Sequence, residues 1–363
     1  METMETMQTE KIVTSSTAEL HDEPVRASQP APGRRPRWRD YTAFVLSSGA
    51  ARGALQVGAA KALIERGITP DVIIGTSIGS WNGAVLARNP NREGVETLEK
   101  VWASLTTSRV LLGWEPHLPT APQAFAGAFV VAAIRRVTQG YPSLYSDVGL
   151  RQVFSEHLDN MRFEDARIPF RVIAANLTTG GLTVFGRGPV ELALLASAAI
   201  PGIFPPVRIN GQILVDGGAL ESASIDTAIQ LGARRIFVLD AGYDVTSELE
   251  DGLRSLLDRA PRNGRQQNAH ALAVMLERTA ALMGRYQLER AIERTPPGIQ
   301  VHVLRPPASM NEAALDFDHA ASWIQLAYEH AARYLDEHLS GQRTIADEPA
   351  LTTIGEEATT RAG

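Results

Sequence analysis

Asp71-Val-Ile-Ile-Gly-Thr-Ser-Ile-Gly-Ser-Trp-Asn-Gly83 decides the fold. Asp71 to Ile74 is short, apolar and β-branched, which predicts a buried strand. It stops at Gly75, and Ser80 to Arg88 has a helical composition. Between them, Gly75-Thr76-Ser77-Ile78-Gly79 matches G-x-S-x-G. In that pattern a serine sits on a sharp, strained strand-to-helix turn and small neighbours keep strand and helix from colliding. Its hydroxyl is pushed out above the sheet, near a helix N-terminus that favours developing negative charge. Ser77 is therefore a candidate nucleophile, and Gly75 and Gly79 the glycines of its turn. The plainer reading is an ordinary glycine–serine turn.

The pattern recurs upstream. Thr42 to Ser47 reads as a strand, and Gly53 to Arg66 as a helix with Leu55, Ala59, Leu63 and Ile64 on one face, ended by Gly67. The connection, Leu46-Ser-Ser-Gly-Ala-Ala-Arg-Gly-Ala-Leu55, exposes backbone N–H groups at a helix N-terminus, a place for an oxyanion or a phosphate. No Gly-Lys-Ser/Thr follows, so it is not a P-loop. Nor does Gly49 to Gly53 supply the triple glycine of a dinucleotide site.

Further strands are expected at Phe170 to Ala175, Leu182 to Phe185, Val207 to Ile209, Ile213 to Val215, Arg235 to Leu239 and Gln300 to Leu304. Helical stretches lie between many of them. The alternation predicts a layered α/β domain with a mostly parallel sheet. Residues 1–40 read as a disordered tail, 41–340 as the domain and 341–363 as a flexible tail. Within the domain, residues 104–145 break the pattern with prolines, aromatics and a short apolar run, which fits a core helix or a mobile cover over an apolar pocket.

Bulk properties set limits. The 363 residues are 44% hydrophobic and 21% charged, with a net charge of −6 and no cysteine. This composition fits a soluble globular protein and argues against a general nucleic-acid binder. Disulfides, thiolate metal sites and a cysteine nucleophile are excluded. No apolar run approaches the roughly 18 to 20 residues of a spanning helix, and the first 40 residues lack a signal-peptide core. A cytoplasmic location is expected, with any membrane contact peripheral. The run Arg34, Arg35, Arg37 and Arg39 around Trp38 reads as a solvated linker or as a foothold on anionic lipid.

A serine nucleophile needs a base. The eight histidines, His21, His117, His157, His270, His302, His319, His330 and His338, occupy no evident loop motif. Asp216 does, in Ile213-Leu-Val-Asp-Gly-Gly-Ala-Leu220, where an apolar strand ends at a carboxylate followed by Gly217 and Gly218. Asp-Gly alone is an ordinary turn. A carboxylate whose pKa is raised by burial can take a serine proton directly.

Four pieces in order resemble the patatin-like phospholipases: Ser48 to Gly53, Gly75 to Gly79, Ala196 to Val207 and Asp216 to Gly218. The resemblance spans about residues 42 to 240 and extends toward 305. It implies a three-layer α/β/α fold, hydrolysis of lipid acyl esters, no cofactor and no metal, and a serine–aspartate dyad. Ser77 would be the nucleophile and Asp216 the base. The loop of Gly49, Ala50, Ala51, Arg52 and Gly53 would form the oxyanion hole, with Arg52 bracing the loop or the substrate head. The family's loop often begins with more glycines, whereas Ser47 and Ser48 precede Gly49 here. Residues Ile200 to Pro206 are core or the lining of an acyl groove. Two rivals are a Ser-His-Asp α/β-hydrolase and a non-catalytic lipid-binding protein. Ser77 follows the first apparent strand too closely for the former, and an intact Ser77 and Asp216 argue against the latter.

Overall fold

A computed structural model describes residues 41–112, 142–242, 265–305 and 316–339. Both expected tails and most of the expected cover segment lie outside these residues.

The first strand, β1 (Thr42–Leu46), is fully buried and lies between β2 (Val72–Thr76) and β7 (Arg235–Leu239), parallel to both. Among the described residues the sheet has eight strands in the order β5-β6-β3-β2-β1-β7-β8, with β4 also paired to β3. Strands β3 (Phe170–Asn176), β2, β1, β7 and β8 (Gln300–Leu304) run parallel. The pairs β3–β4 (Gly181–Phe185), β3–β6 (Gln212–Asp216) and β5 (Val207–Ile209)–β6 are antiparallel. The parallel strands at the centre are continuous apolar runs because helices cover both faces.

Side-chain alternation divides the core into two layers. Phe44, Leu46, Ile73, Phe237 and Leu239 point to one face, toward α1 (Gly53–Glu65), α2 (Ile78–Arg88), α3 (Arg92–Ala103) and α9 (Ala320–Leu339). Ala43, Val45, Val72, Ile74, Ile236 and Val238 point to the other, toward α7 (Ile225–Gln230) and the end of α8 (Arg265–Glu293). This is the expected three-layer α/β/α architecture. The remaining described helices are α4 (Thr107–Leu112), α5 (Val148–Leu158) and α6 (Val190–Ser197). No described helix is long and apolar enough to cross a membrane.

Two boundaries differ from expectation at the decisive stretch. Strand β2 continues through Gly75 and Thr76, because both keep parallel register with Val172 and Ile173 of β3. Asp71 falls outside it, and its Oδ2 accepts the Thr42 N–H at 2.7 Å. Helix α2 begins at Ile78, immediately after Ser77.

The topology explains where the site forms. Residues Ala174 to Asn176 of β3 pair with β4 and with β6, while Val172 and Ile173 pair with β4 and with β2. A strand has two edges, so β2 and β6 share the edge opposite β4. They meet end to end, with Thr76 opposite Ile173 and Asp216 opposite Ala174. Of the expected cover segment, residues 104–112, which include α4, and residues 142–145 are described. The latter run beside the 200–204 turn, with Leu144 N–H donating to Gly202 O at 2.8 Å and Tyr145 N–H to Ile203 O at 2.9 Å.

Candidate active site

Ser77 has φ 54° and ψ −125°, in the left-handed half of backbone space that a non-glycine residue rarely enters. Such strain costs roughly 1–3 kcal/mol and persists only where the surroundings enforce it. Here four hydrogen bonds do so. The Ser77 N–H donates to Ser197 Oγ at 2.8 Å, and Ser197 Oγ donates to Ile173 O at 2.5 Å, tying the turn to β3. Ser80 closes the turn from the helix side, its Oγ and N–H both donating to Ser77 O. The flanking glycines are required by close approach. A Cβ at Gly75 would strike Gly79 O and the Ser80 backbone, and one at Gly79 would strike the Leu46 and Ser47 carbonyl oxygens.

The turn aims Ser77 at Asp216. Ser77 Oγ donates to Asp216 Oδ2 at 2.5 Å, and Gly218 N–H donates to Oδ1 at 2.7 Å. Both side chains are buried, at 4% and 5% exposure. Burial pushes the Asp216 carboxyl up to about 6, against the lowering pull of the Ser77 hydroxyl and the Gly218 N–H. Such a group is ionised at neutral pH yet basic enough to accept a proton. Gly217 lies against Ile173 O and Thr76 Cγ2, where a Cβ would come within 2.6 and 2.9 Å.

The Ser48–Gly53 loop lies along this pair. A Cβ at Gly218 would sit 2.7 Å from Ser48 Oγ, which itself bonds Ser222 Oγ at 2.8 Å. On the other flank, Gly53 packs directly on the Ile78 side chain. Ala50 has φ 50° and begins a short 3-10 turn, Ala50–Arg52. Arg52 N–H donates to Gly49 O at 3.1 Å, and Gly53 N–H bonds back to Ala50 and Ala51 carbonyls. The N–H groups of Gly49, Ala50 and Ala51 meet no acceptor among the described residues. The Arg52 side chain is buried, at 5% exposure.

No described histidine approaches this pair. His157 lies beside Trp81, its ring tilted and the centroids 6.3 Å apart, and burial lowers its pKa. His302, on β8, contacts Tyr334 Oη through Nδ1 at 3.3 Å. His319 pairs with Asp316, and His338 Nδ1 meets Tyr334 O. His21 and His117 lie outside the described residues, as does the side chain of His270. No group of three or more His, Asp or Glu residues that would hold a metal gathers among the described residues.

Sequence reasoning missed several residues that shape the site. Besides Ser197, Gln56 and Asn82 are fully buried, and Asp240 nearly so. Asp240, at the end of β7, accepts from Ser47 Oγ at 3.3 Å and from Gly242 N–H at 2.9 Å, and pairs with Arg305 at 3.3 Å. The available signal was position: Asp240 directly follows a strand next to β1, as Asp216 ends one next to β3.

Residues 44–229 match the family model described as patatin-like phospholipase, which includes the turn, the loop and Asp216. Over 202 residues, 55% of this chain, the sequence is 30% identical to patatin-like phospholipase domain-containing protein 7 of Rattus norvegicus. It is 28% identical over 300 residues, 81% of this chain, to lysophospholipase nte1 of Aspergillus niger. The chain spans 13% and 18% of the length of these relatives. Among solved structures, VipD from Legionella pneumophila superposes with a TM-score of 0.43 at 14% identity, over 82% of this chain and 67% of that one.

Proposed function

The chain belongs to the patatin-like phospholipase family, and from that premise we propose that it is a lipid acyl hydrolase working through a Ser77–Asp216 dyad. The observation that carries this reading is the 2.5 Å hydrogen bond from a strained Ser77 to a buried carboxylate pushed up to about 6. A serine held only for packing has no need of positive φ.

In the proposed reaction, Ser77 Oγ attacks the ester carbonyl carbon while its proton passes to Asp216 Oδ2. The carbonyl π electrons move onto oxygen, and the N–H groups of Gly49, Ala50 and Ala51 receive that oxyanion, helped by the N-terminus of α2. Collapse restores the carbonyl and breaks the bond to the alcohol oxygen, which takes the proton from Asp216. The acyl group now rests on Ser77. Water then attacks the acyl carbon and gives its proton to Asp216, and Ser77 leaves as a hydroxyl with that proton restored. Arg52, buried beneath the loop, braces it from within. The half-buried Ile200 and Ile203 border the 200–204 turn near Asp216, whose N–H donates to Ala199 O at 2.9 Å, and would contact an acyl chain there. The substrates are lipids, met by peripheral contact with a membrane.

The test compares native protein with Ser77→Ala, using a p-nitrophenyl ester, a fluorophosphonate probe and a panel of phospholipids. Turnover and labelling are expected for the native protein alone. Equal turnover by pure Ser77→Ala would sink the assignment.

A further inference from the structure

Two side-chain amides lie one helical turn below the site, both out of contact with Ser77 and Asp216. Gln56 follows Gly53, the first residue of α1, and Asn82 follows Ile78, the first residue of α2. Their exposures are 1% and 0%. Buried amides are costly unless every donor and acceptor is used, and these are used. Asn82 Nδ2 donates to Gln56 Oε1 and to Gly53 O, both at 2.9 Å. Gln56 Nε2 donates to Ser47 O at 2.7 Å and to Leu239 O at 3.3 Å. Asn82 Oδ1 accepts from Trp102 Nε1 at 2.9 Å, which fixes the way the Asn82 amide faces.

The carbonyls they hold are significant. Ser47 O lies just before the Ser48–Gly53 loop and Gly53 O at its last residue. The loop is thus clamped at both ends by side chains, and one clamp stands on α2, the helix that begins immediately after Ser77. Ser47 is also held through its Oγ, which accepts from Ala241 N–H at 2.8 Å. A hydrocarbon pair of the same shape would fill the space without specifying the spacing. A connected amide pair specifies it through the geometry of its hydrogen bonds.

We propose that Gln56 and Asn82 are positioning residues that set the oxyanion loop at its working distance from Ser77. The inference rests on the hydrolase reading above. A loop displaced by about 1 Å costs up to about 10²-fold in rate. The loss falls on the transition state, where the oxyanion forms, and not on substrate affinity.

The experiment measures kcat, KM and the pH profile for a soluble p-nitrophenyl ester with native protein, Gln56→Met and Trp102→Phe. Leu63→Ala is the comparator: it opens a cavity in the same helix, α1, away from the loop. Thermal melts place the three variants on one stability scale. For Gln56→Met, kcat is expected to fall about 10²-fold with KM and the pH midpoint unchanged, since neither amide touches Asp216. Trp102→Phe keeps an aromatic ring but frees the Asn82 amide, and a smaller fall in kcat is expected. Leu63→Ala is expected to lose stability and keep its kcat. If Gln56→Met fails to fold, Trp102→Phe decides alone. Native kcat in the folded variants, or a loss no larger than that of Leu63→Ala, overturns the inference while native activity upholds the hydrolase reading. A native protein that turns over no ester and takes no fluorophosphonate removes that reading, and this inference with it.

Discussion

Thr76 and Asp216 stand opposite neighbouring residues of one strand, Ile173 and Ala174 of β3. The ends of β2 and β6 therefore abut, and a serine and an aspartate 139 positions apart in the chain come within 2.5 Å. The register of β3 fixes this distance, so the pair is as rigid as the sheet. Asp216→Asn preserves the shape of the site and removes only the capacity to accept a proton. Turnover of a p-nitrophenyl ester is expected to fall by roughly 10²–10⁴-fold, the usual range for general-base help. Circular dichroism should show an unchanged fold. An active, folded Asp216→Asn would remove Asp216 from the mechanism.

The raised Asp216 pKa predicts a pH profile. The base works only when ionised, so kcat/KM should rise about tenfold per pH unit below about 6 and level off above it. Stability runs the opposite way. The folded pKa lies above the ordinary 3.8, so folding favours the protonated form. The stability this contributes is complete below about 4 and is lost as pH rises through about 6. Asp216→Asn escapes that loss. Its melting temperature relative to native protein should therefore climb between pH 4 and pH 7, even as its activity stays low. A difference that does not change over that range would show that Asp216 is not buried as described.

Ser197 is expected to matter through the shape of the turn. It accepts the Ser77 N–H and anchors it to Ile173 O. Ser197→Ala leaves a buried N–H without an acceptor, a cost of about 1–3 kcal/mol. It also removes one of the contacts that hold Ser77 at positive φ. Both a lower melting temperature and a lower kcat are expected, while Ser197→Thr, which keeps the hydroxyl, should restore part of each. Native kcat in a destabilised Ser197→Ala would mean that Ser80 and the glycines hold the turn by themselves.

Legibility in the sequence followed the range of the interactions. Strands β5, β7 and β8 are readable to the residue, because each is a short run rich in β-branched residues bounded by turn residues. The Ser77 turn is readable because its two glycines stand at fixed offsets from the serine, Gly75 for the local approach of Ser80 and Gly79 for that of the Leu46 and Ser47 backbone from the end of β1. The reach of β2 through Gly75 and Thr76 was not, since it depends on partners in β3. Gln56 and Asn82 were hidden for a different reason. A glutamine or asparagine in a helix is solvated by default, and α1 and α2 are instead enclosed nearly all round. Gly58 lets the α9 backbone approach at Ile324, which closes the side of α1 that an amphipathic pattern would leave to water.

The last prediction separates a dyad from a triad. In an α/β-hydrolase the catalytic histidine follows the acidic residue in the chain, which makes His270, His302, His319, His330 and His338 the candidates. Geometry argues against three of them. Asp216 uses Oδ2 for Ser77 and Oδ1 for Gly218, so no histidine stands between serine and carboxylate. His302 is directed at Tyr334 and stacks on Phe237 with centroids 5.0 Å apart, on an edge strand beyond β7. His319 and His338 face local partners on or beside α9. Each single His→Gln variant is therefore expected to keep kcat/KM for a p-nitrophenyl ester within a few-fold of native. His302→Gln should lose some stability, since its ring is packed into the sheet. General-base help is worth roughly 10²–10⁴-fold, so the two outcomes are far apart. A folded variant that falls by that factor, alongside an Asp216→Asn protein that stays active, would replace the dyad with a triad built on that histidine.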